Sequence, residues 1–175
     1  MAWVKKPNEE LLEEYPNLKD FLPYLDVQNA ESPRGAILVA CSYLDEQLKA
    51  IIAAFLVDKS DRSSLLDGFN APLGTFSARI TMAHCLGLIS DFEKSDCNTL
   101  RKIRNEFAHK HRVSFEDQKI VDLCGKLHHS AKDYGDVVVG AYGAFSSGAV
   151  GLAMNFVNRA HYVSKQRIKQ STWPY

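Results

Sequence analysis

The sequence has no excess of charge of either sign: its 21 Lys and Arg balance its 21 Asp and Glu. No overall field draws such a chain onto nucleic acid or an anionic bilayer. It also lacks any Cys-x-x-Cys pair. Its four cysteines, Cys41, Cys85, Cys97 and Cys124, are scattered. Disulfides are therefore not expected, and a reducing cytoplasm is the expected location. Cys41 and Cys85 stand among apolar neighbours and read as small core residues. His109-x-His111 and His128-His129 have no acid or Cys partner at ligand spacing, so no metal is expected. There is no Walker loop, dinucleotide fingerprint or Ser nucleophile elbow, and no cofactor is expected. The segment Met1 to Pro7 has no apolar run of the kind that heads a secretion signal. Internal repeats and low-complexity segments are missing as well.

One run has no charge at all, residues 137–157. Its length is about that of a membrane span. However, Gly140, Gly143, Gly148, Gly151, Ser146, Ser147 and Asn155 dilute it, where a spanning helix would be rich in Leu and Ile. The expectation is a buried or partly buried helix pair and no membrane.

What remains is strong helical periodicity. A chain of 175 residues is long enough for one domain with a real core. Residues 1–30 are expected to form a helical arm, 31–168 a single bundle and 169–175 a loose tail. In the arm, acids after Pro7 suit a helix N-terminus, Pro16 interrupts it, and Leu18, Phe21, Leu22 and Leu25 suggest a second short helix. From Pro33 to about Leu56, Ile37, Cys41, Leu44, Leu48, Ile51, Ile52 and Phe55 recur at three and four residues. Pro33 suits the first turn, where its missing N–H costs nothing. Burying five or six of these side chains, at about 1.5–3 kcal/mol each, makes this a main core helix. Asp45 and Glu46 lie on its polar side, either solvated or paired with Arg79 or Arg104.

Residues 58–64 read as a polar loop, with one more turn at Leu65, Leu66 and Phe69. Asn70 to Gly74 is a break. Thr75 is placed to cap a helix over 76–88 with Phe76, Ile80, Ala83 and Gly87 inward. On it, Arg79 either snorkels to the surface or turns toward the next polar face. His84 reads as a hydrogen-bonded packing residue. Ser90-Asp91-Phe92-Glu93 is a capping box, and Ser95-Asp96 can restart the helix beyond it. Lys110, His111 and Arg112 suit that helix's C-terminal end. Ser114 to Asp117 then caps a helix with Ile120, Val121, Cys124 and Leu127 inward, ending at His128-His129. A last helix is expected over 144–168, with Val150, Met154, Val157, Ala160 and Val163 on one side. Gly148 and Gly151 would allow close approach of another helix.

The stretch that organises the rest is Leu100 to His109. On a helix at about 100° per residue, Leu100, Ile103 and Phe107 share a narrow apolar stripe. Arg101, Arg104, Asn105, Ala108 and His109 fan out over a polar face. Arg104-Asn105-x-x-x-His109 is similar to the Arg–polar–x–x–x–His signature of the HEPN superfamily of helical domains. Further residues match in a fixed order: Arg34-Gly35, Ser42-x-Leu44-Asp45, Gly74-Thr75-Phe76-Ser77-Ala78-Arg79-Ile80, Ala83, and Leu86-Gly87-Leu88-Ile89. Together with Ile103-Arg104-Asn105-x-Phe107-Ala108-His109 they resemble the mannitol operon repressor (MtlR) family. The likeness covers roughly residues 30 to 130.

The resemblance implies an all-α, up-and-down bundle of HEPN/MtlR type, of about six to eight helices. It implies a repressor of a sugar-uptake operon. No helix-turn-helix with a basic recognition helix is present, so the expected mode is protein contact, as a homodimer, with no direct DNA readout. Arg79, Arg101, Asp45, Glu46 and Thr75 are the candidate binding or interface residues. The alternative that the HEPN likeness implies is a metal-independent ribonuclease acting on RNA. There His109 would move a proton, Arg104 would hold the phosphate, and Asn105 would orient either one.

Overall fold

The computed structural model describes residues 12–13 and 18–174. The N-terminal helix expected from Pro7 and its interruption at Pro16 lie outside the described residues, except for the helical pair 12–13. Among the described residues the chain forms eight helices. They are α1 Phe21–Ala30, α2 Pro33–Phe55, α3 Asp61–Leu66, α4 Phe76–Cys85, α5 Asp91–His109, α6 Gln118–Cys124, α7 Ala141–Phe156 and α8 Arg159–Ser164. Outside them, Tyr134 and Val137 form an isolated antiparallel bridge. The fold is an all-α helical bundle, as expected. Among the described residues no helix is long and apolar enough to cross a membrane.

Helix α2 is the hub and packs against every other helix except α6. Its start is fixed by two local devices: Ser32 accepts from the Gly35 N–H, and Pro33 occupies the first turn. Ile37, Leu44, Leu48, Ile51 and Ile52 are fully buried along it. Helix α1 covers one flank, where Tyr24 stacks on Tyr43 with ring centroids 4.1 Å apart.

Helix α4 begins where Thr75 accepts from the Ala78 N–H at 3.2 Å. It stops short of the expected 88. The Leu88 N–H donates to the Ala83 carbonyl and the Gly87 N–H to that of His84, with Gly87 at φ +70°. These two bonds and the left-handed residue form a Schellman stop, and Gly87 is there for its backbone, not its apolar face. Cys85, expected in the core, is exposed. It lies five residues after buried Ile80, about 140° around the helix.

Helix α5 runs unbroken from the capping box, where Ser90 and Glu93 each bond the other's backbone N–H. No restart occurs at Ser95-Asp96. Its C-terminal end is closed from a distance. The Arg34 guanidinium donates to the carbonyls of Phe107, Lys110 (3.1 Å) and His111 (3.3 Å) and lies over the Phe107 ring. A cation on the last carbonyls satisfies orphan acceptors and opposes the helix dipole.

Three other expectations need correction. Residues 61–64 are helical, not loop. Val121 is exposed, while Ile120, Cys124 and Leu127 are buried. The single last helix is two, broken at Val157-Asn158, and its buried face is Phe145, Ala149, Leu152, Ala153 and Phe156, with Met154 outside. The uncharged run offered no polar side by which to set the phase of the helix. Arg159 fixes the break. It makes a two-pronged pair with Glu93, both contacts 2.7 Å, and donates to the Leu88 carbonyl. Burial pushes the Glu93 carboxyl up, but the bonds from Arg159 and Ser90 outweigh it and hold it below the ordinary range.

Candidate functional site

Helices α2, α4 and α5 meet around a cleft of about 430 Å³. Helix α2 contributes Cys41, Ser42 and Asp45, the start of α4 contributes Thr75, Phe76 and Ser77, and α5 contributes Arg101, Arg104 and Asn105. Five of the residues singled out from sequence therefore converge. Thr75 is exposed at the helix start it caps. Cys41 forms part of the floor. Burial pushes its thiol up to about 12, against the opposing pull of the nearby Arg104 charge, so it is an inert wall.

Arg79 lies behind the cleft, not in it. It is 5% exposed, so the surface-snorkelling alternative is overturned. Its Nε donates to the Leu73 carbonyl and its Nη2 to that of Leu66, both at 2.9 Å. Its Nη1 stands 2.9 Å from Asp45 Oδ1, an ion contact without hydrogen-bond alignment. Burial raises the Asp45 carboxyl, and Arg79 only partly offsets this. The pair ties α2 to α4 and to the end of α3. The carboxylate expected to fix an arginine is thus spent on Arg79.

The two cleft arginines are left without an acid. Among the described residues neither Arg101 nor Arg104 has a carboxylate within 4.0 Å. Arg104 donates to Asn105 Oδ1 at 3.3 Å. The Arg101 Nε is buried without a hydrogen-bond partner, an arrangement that costs free energy until an acceptor arrives. Two guanidinia and an amide on one rigid helix face are suited to an acceptor-rich partner, such as a carboxylate or a carbonyl edge.

Two of the expected residues stand apart. Glu46 is exposed and lies 4.0 Å from Lys49, outside the cleft lining. His109, the last residue of α5, is exposed and also outside the lining. The spacing explains this. Five residues carry His109 about 140° around the helix from Arg104, although only about 40° from Asn105.

Sequence reasoning missed a second polar cluster. Asp96 is fully buried in α5. Its Oδ1 accepts from the His128 N–H (2.9 Å) and Nδ1 (2.8 Å), and its Oδ2 from the His129 N–H (2.9 Å) and Nδ1 (2.7 Å). Burial pushes this carboxyl up, but the four bonds, the two backbone N–H groups foremost, more than offset it and hold it below the ordinary range. The signal available in the sequence was an acid at a buried phase of an amphipathic helix, since Asp96 precedes Leu100 by one turn. That its partners would be the paired histidines followed only from the chain path. No group of three or more His, Cys, Asp or Glu among the described residues could hold a metal.

Residues 24–137 match the family model described as mannitol repressor. In fold, the chain is similar to a chain of the X-ray structure of the MtlR–HPr complex from Escherichia coli. The TM-score is 0.59 at 22% identity, over 81% of this chain and 96% of that one. Among curated proteins none matches the chain.

Proposed function

The chain belongs to the mannitol repressor family, and from that premise we propose that it regulates a sugar-uptake operon by binding a protein partner through the arginine face of α5. Regulation of the mannitol-operon type follows from the family. The partner-binding mode is our reading, with homodimerisation and a cytoplasmic location as parts of it. The observation that carries it is the unpaired state of Arg101 and Arg104, with the Arg101 Nε buried and unbonded, on a helix braced at both ends. Such preorganised guanidinia are frequent anchors of protein interfaces. The similar fold in a complex with HPr supports a protein partner. The balanced charge supports partner contact over direct DNA binding.

The ribonuclease alternative needs guanidinium and imidazole on one phosphate. His109 lies outside the cleft that holds Arg104, so that alternative would need a second protomer to complete its site.

Titration of the purified protein with HPr from the same organism tests the proposal. Wild type is expected to bind, and Arg101→Ala and Arg104→Ala each to weaken binding by about tenfold or more. Wild-type affinity in both variants would refute the assigned face. Tight, sequence-specific DNA binding by the isolated protein would refute the mode.

A further inference from the structure

A second cleft, of about 910 Å³, opens on another side of α5. Asn98, Thr99 and Lys102 line it from the helix, and Lys126, His128 and Lys132 from the facing segment. These α5 positions lie roughly a third of a turn from Arg101 and Arg104, so the two clefts share a helix but not a face. The lining contains three ammonium groups and no acid, within a chain whose total charge is zero.

The acids near enough to neutralise the lysines are engaged elsewhere. Asp96 accepts its four bonds from the histidine pair. Glu106, one turn beyond Lys102, is held by Lys110 at 2.6 Å and Lys119 at 2.5 Å, which pull its carboxyl down to about 2. Asp122, one turn before Lys126, accepts from Gln118. Among the described residues Lys102, Lys126 and Lys132 have no carboxylate within 4.0 Å.

Two of the groups are also preset. The Lys132 ammonium donates to the Leu127 carbonyl and Ser130 Oγ, leaving a third N–H for a ligand. The His128 ring is fixed by Asp96 at Nδ1 and by Phe92 at 4.7 Å, so its Nε2 edge faces away from the buried carboxylate. We propose that this cleft binds a small phosphate monoester. Lys102, Lys126 and Lys132 hold the anion, and Asn98, Thr99 and His128 Nε2 bond the hydroxyls of its organic part. A concave volume within the usual range of small-molecule sites favours such a ligand over an extended polyanion. The proposal is independent of the regulatory reading and of the arginine cleft.

Calorimetric titration of the full chain with glycerol 3-phosphate tests it, with sodium sulfate and a single-stranded oligonucleotide as comparison probes. Saturable binding of the monoester is expected, about tenfold tighter than sulfate. It should weaken about tenfold or more in a Lys102→Ala/Lys126→Ala double variant and stay unchanged in Arg104→Ala. The lysines are exposed, so the double variant should keep the wild-type unfolding midpoint and report on binding alone. Absence of saturable monoester binding, equal affinity for sulfate, binding of the oligonucleotide alone, or wild-type affinity in the double variant would each overturn the proposal.

Discussion

Replacing Asp96 puts a number on how α5 is locked to the chain beyond α6. The carboxylate has no solvent exposure and accepts two backbone and two imidazole N–H groups at 2.7–2.9 Å. Hydrogen bonds to a charged group contribute about 1.5–3 kcal/mol each, and burial of the charge opposes that sum by several kcal/mol. Asp96→Ala leaves two backbone donors stranded, so the expected loss is about 3–5 kcal/mol. For a chain of this size that is roughly 6–20 °C in midpoint. Asp96→Asn retains one acceptor oxygen but turns an NH2 toward donors, and should cost about 2–3 kcal/mol. His128→Ala keeps the backbone bond and loses only a solvent-screened imidazole bond, the His128 side chain being 42% exposed, so it should cost less, about 1–1.5 kcal/mol. A carboxyl held below its ordinary value stabilises the fold above the unfolded value near ~4 and loses that contribution as the pH falls through the folded value. The gap between wild type and Asp96→Asn should therefore be full at neutral pH and narrow below about pH 4. Urea unfolding at several pH values measures all of this. An Asp96→Ala variant within about 0.5 kcal/mol of wild type, or one no worse than His128→Ala, would refute the reasoning.

Three further perturbations report on other parts of the frame. Asp45→Ala strands a buried guanidinium and should lower stability by about 2–4 kcal/mol in denaturant unfolding, with Arg79→Lys also impaired because one ammonium cannot reach all three acceptors. Arg34→Ala removes the far cap of α5. It should cost about 1–2 kcal/mol and speed amide exchange in the last turn of α5 well above exchange near Leu100, as hydrogen exchange would record. Titration of the native protein with a thiol reagent near neutral pH should modify Cys85 first. Cys41 and Cys124 should react only on unfolding, because burial pushes their thiols up to about 12 and about 11; rapid reaction of Cys41 would contradict its place in the floor of the cleft.

Where the sequence failed, the cause was a missing contrast between faces. Helix α2 alternates apolar and polar sides sharply, and its bounds and buried positions could be read directly. The capping box at Ser90 and the cap at Thr75 were legible because a cap is a contact between residues three apart. The face assigned to α7 was only partly right, because no charge marks its outer side: Val150 and Val157 pack against the core at its edge, while Met154 is exposed. Gly148 and Gly151 do mark a close approach: a Cβ would stand 3.2 Å from Leu127 and 3.1 Å from the His129 carbonyl. The neighbour is the loop that carries the two histidines, not another helix. The cleft was half legible. Arg101, Arg104 and Asn105 were found by helical phase. His109 was placed on the same polar face by the same phase, but it lies outside the cleft, because five residues of helix carry it well around the axis from Arg104.

Periodicity and caps act within a few residues, so the sequence by itself determined where most helices lie, where α2, α4 and α5 begin, and that α5 presents an apolar stripe and an arginine face. Which acid meets which base depends on the path of the chain across tens of residues. Only the tertiary structure decided that Asp45 neutralises Arg79 and leaves Arg101 and Arg104 free, that Arg34 closes α5, and that Asp96 gathers His128 and His129. A buried charge must find its partner wherever packing brings one within hydrogen-bond reach, and no local rule of sequence encodes that meeting.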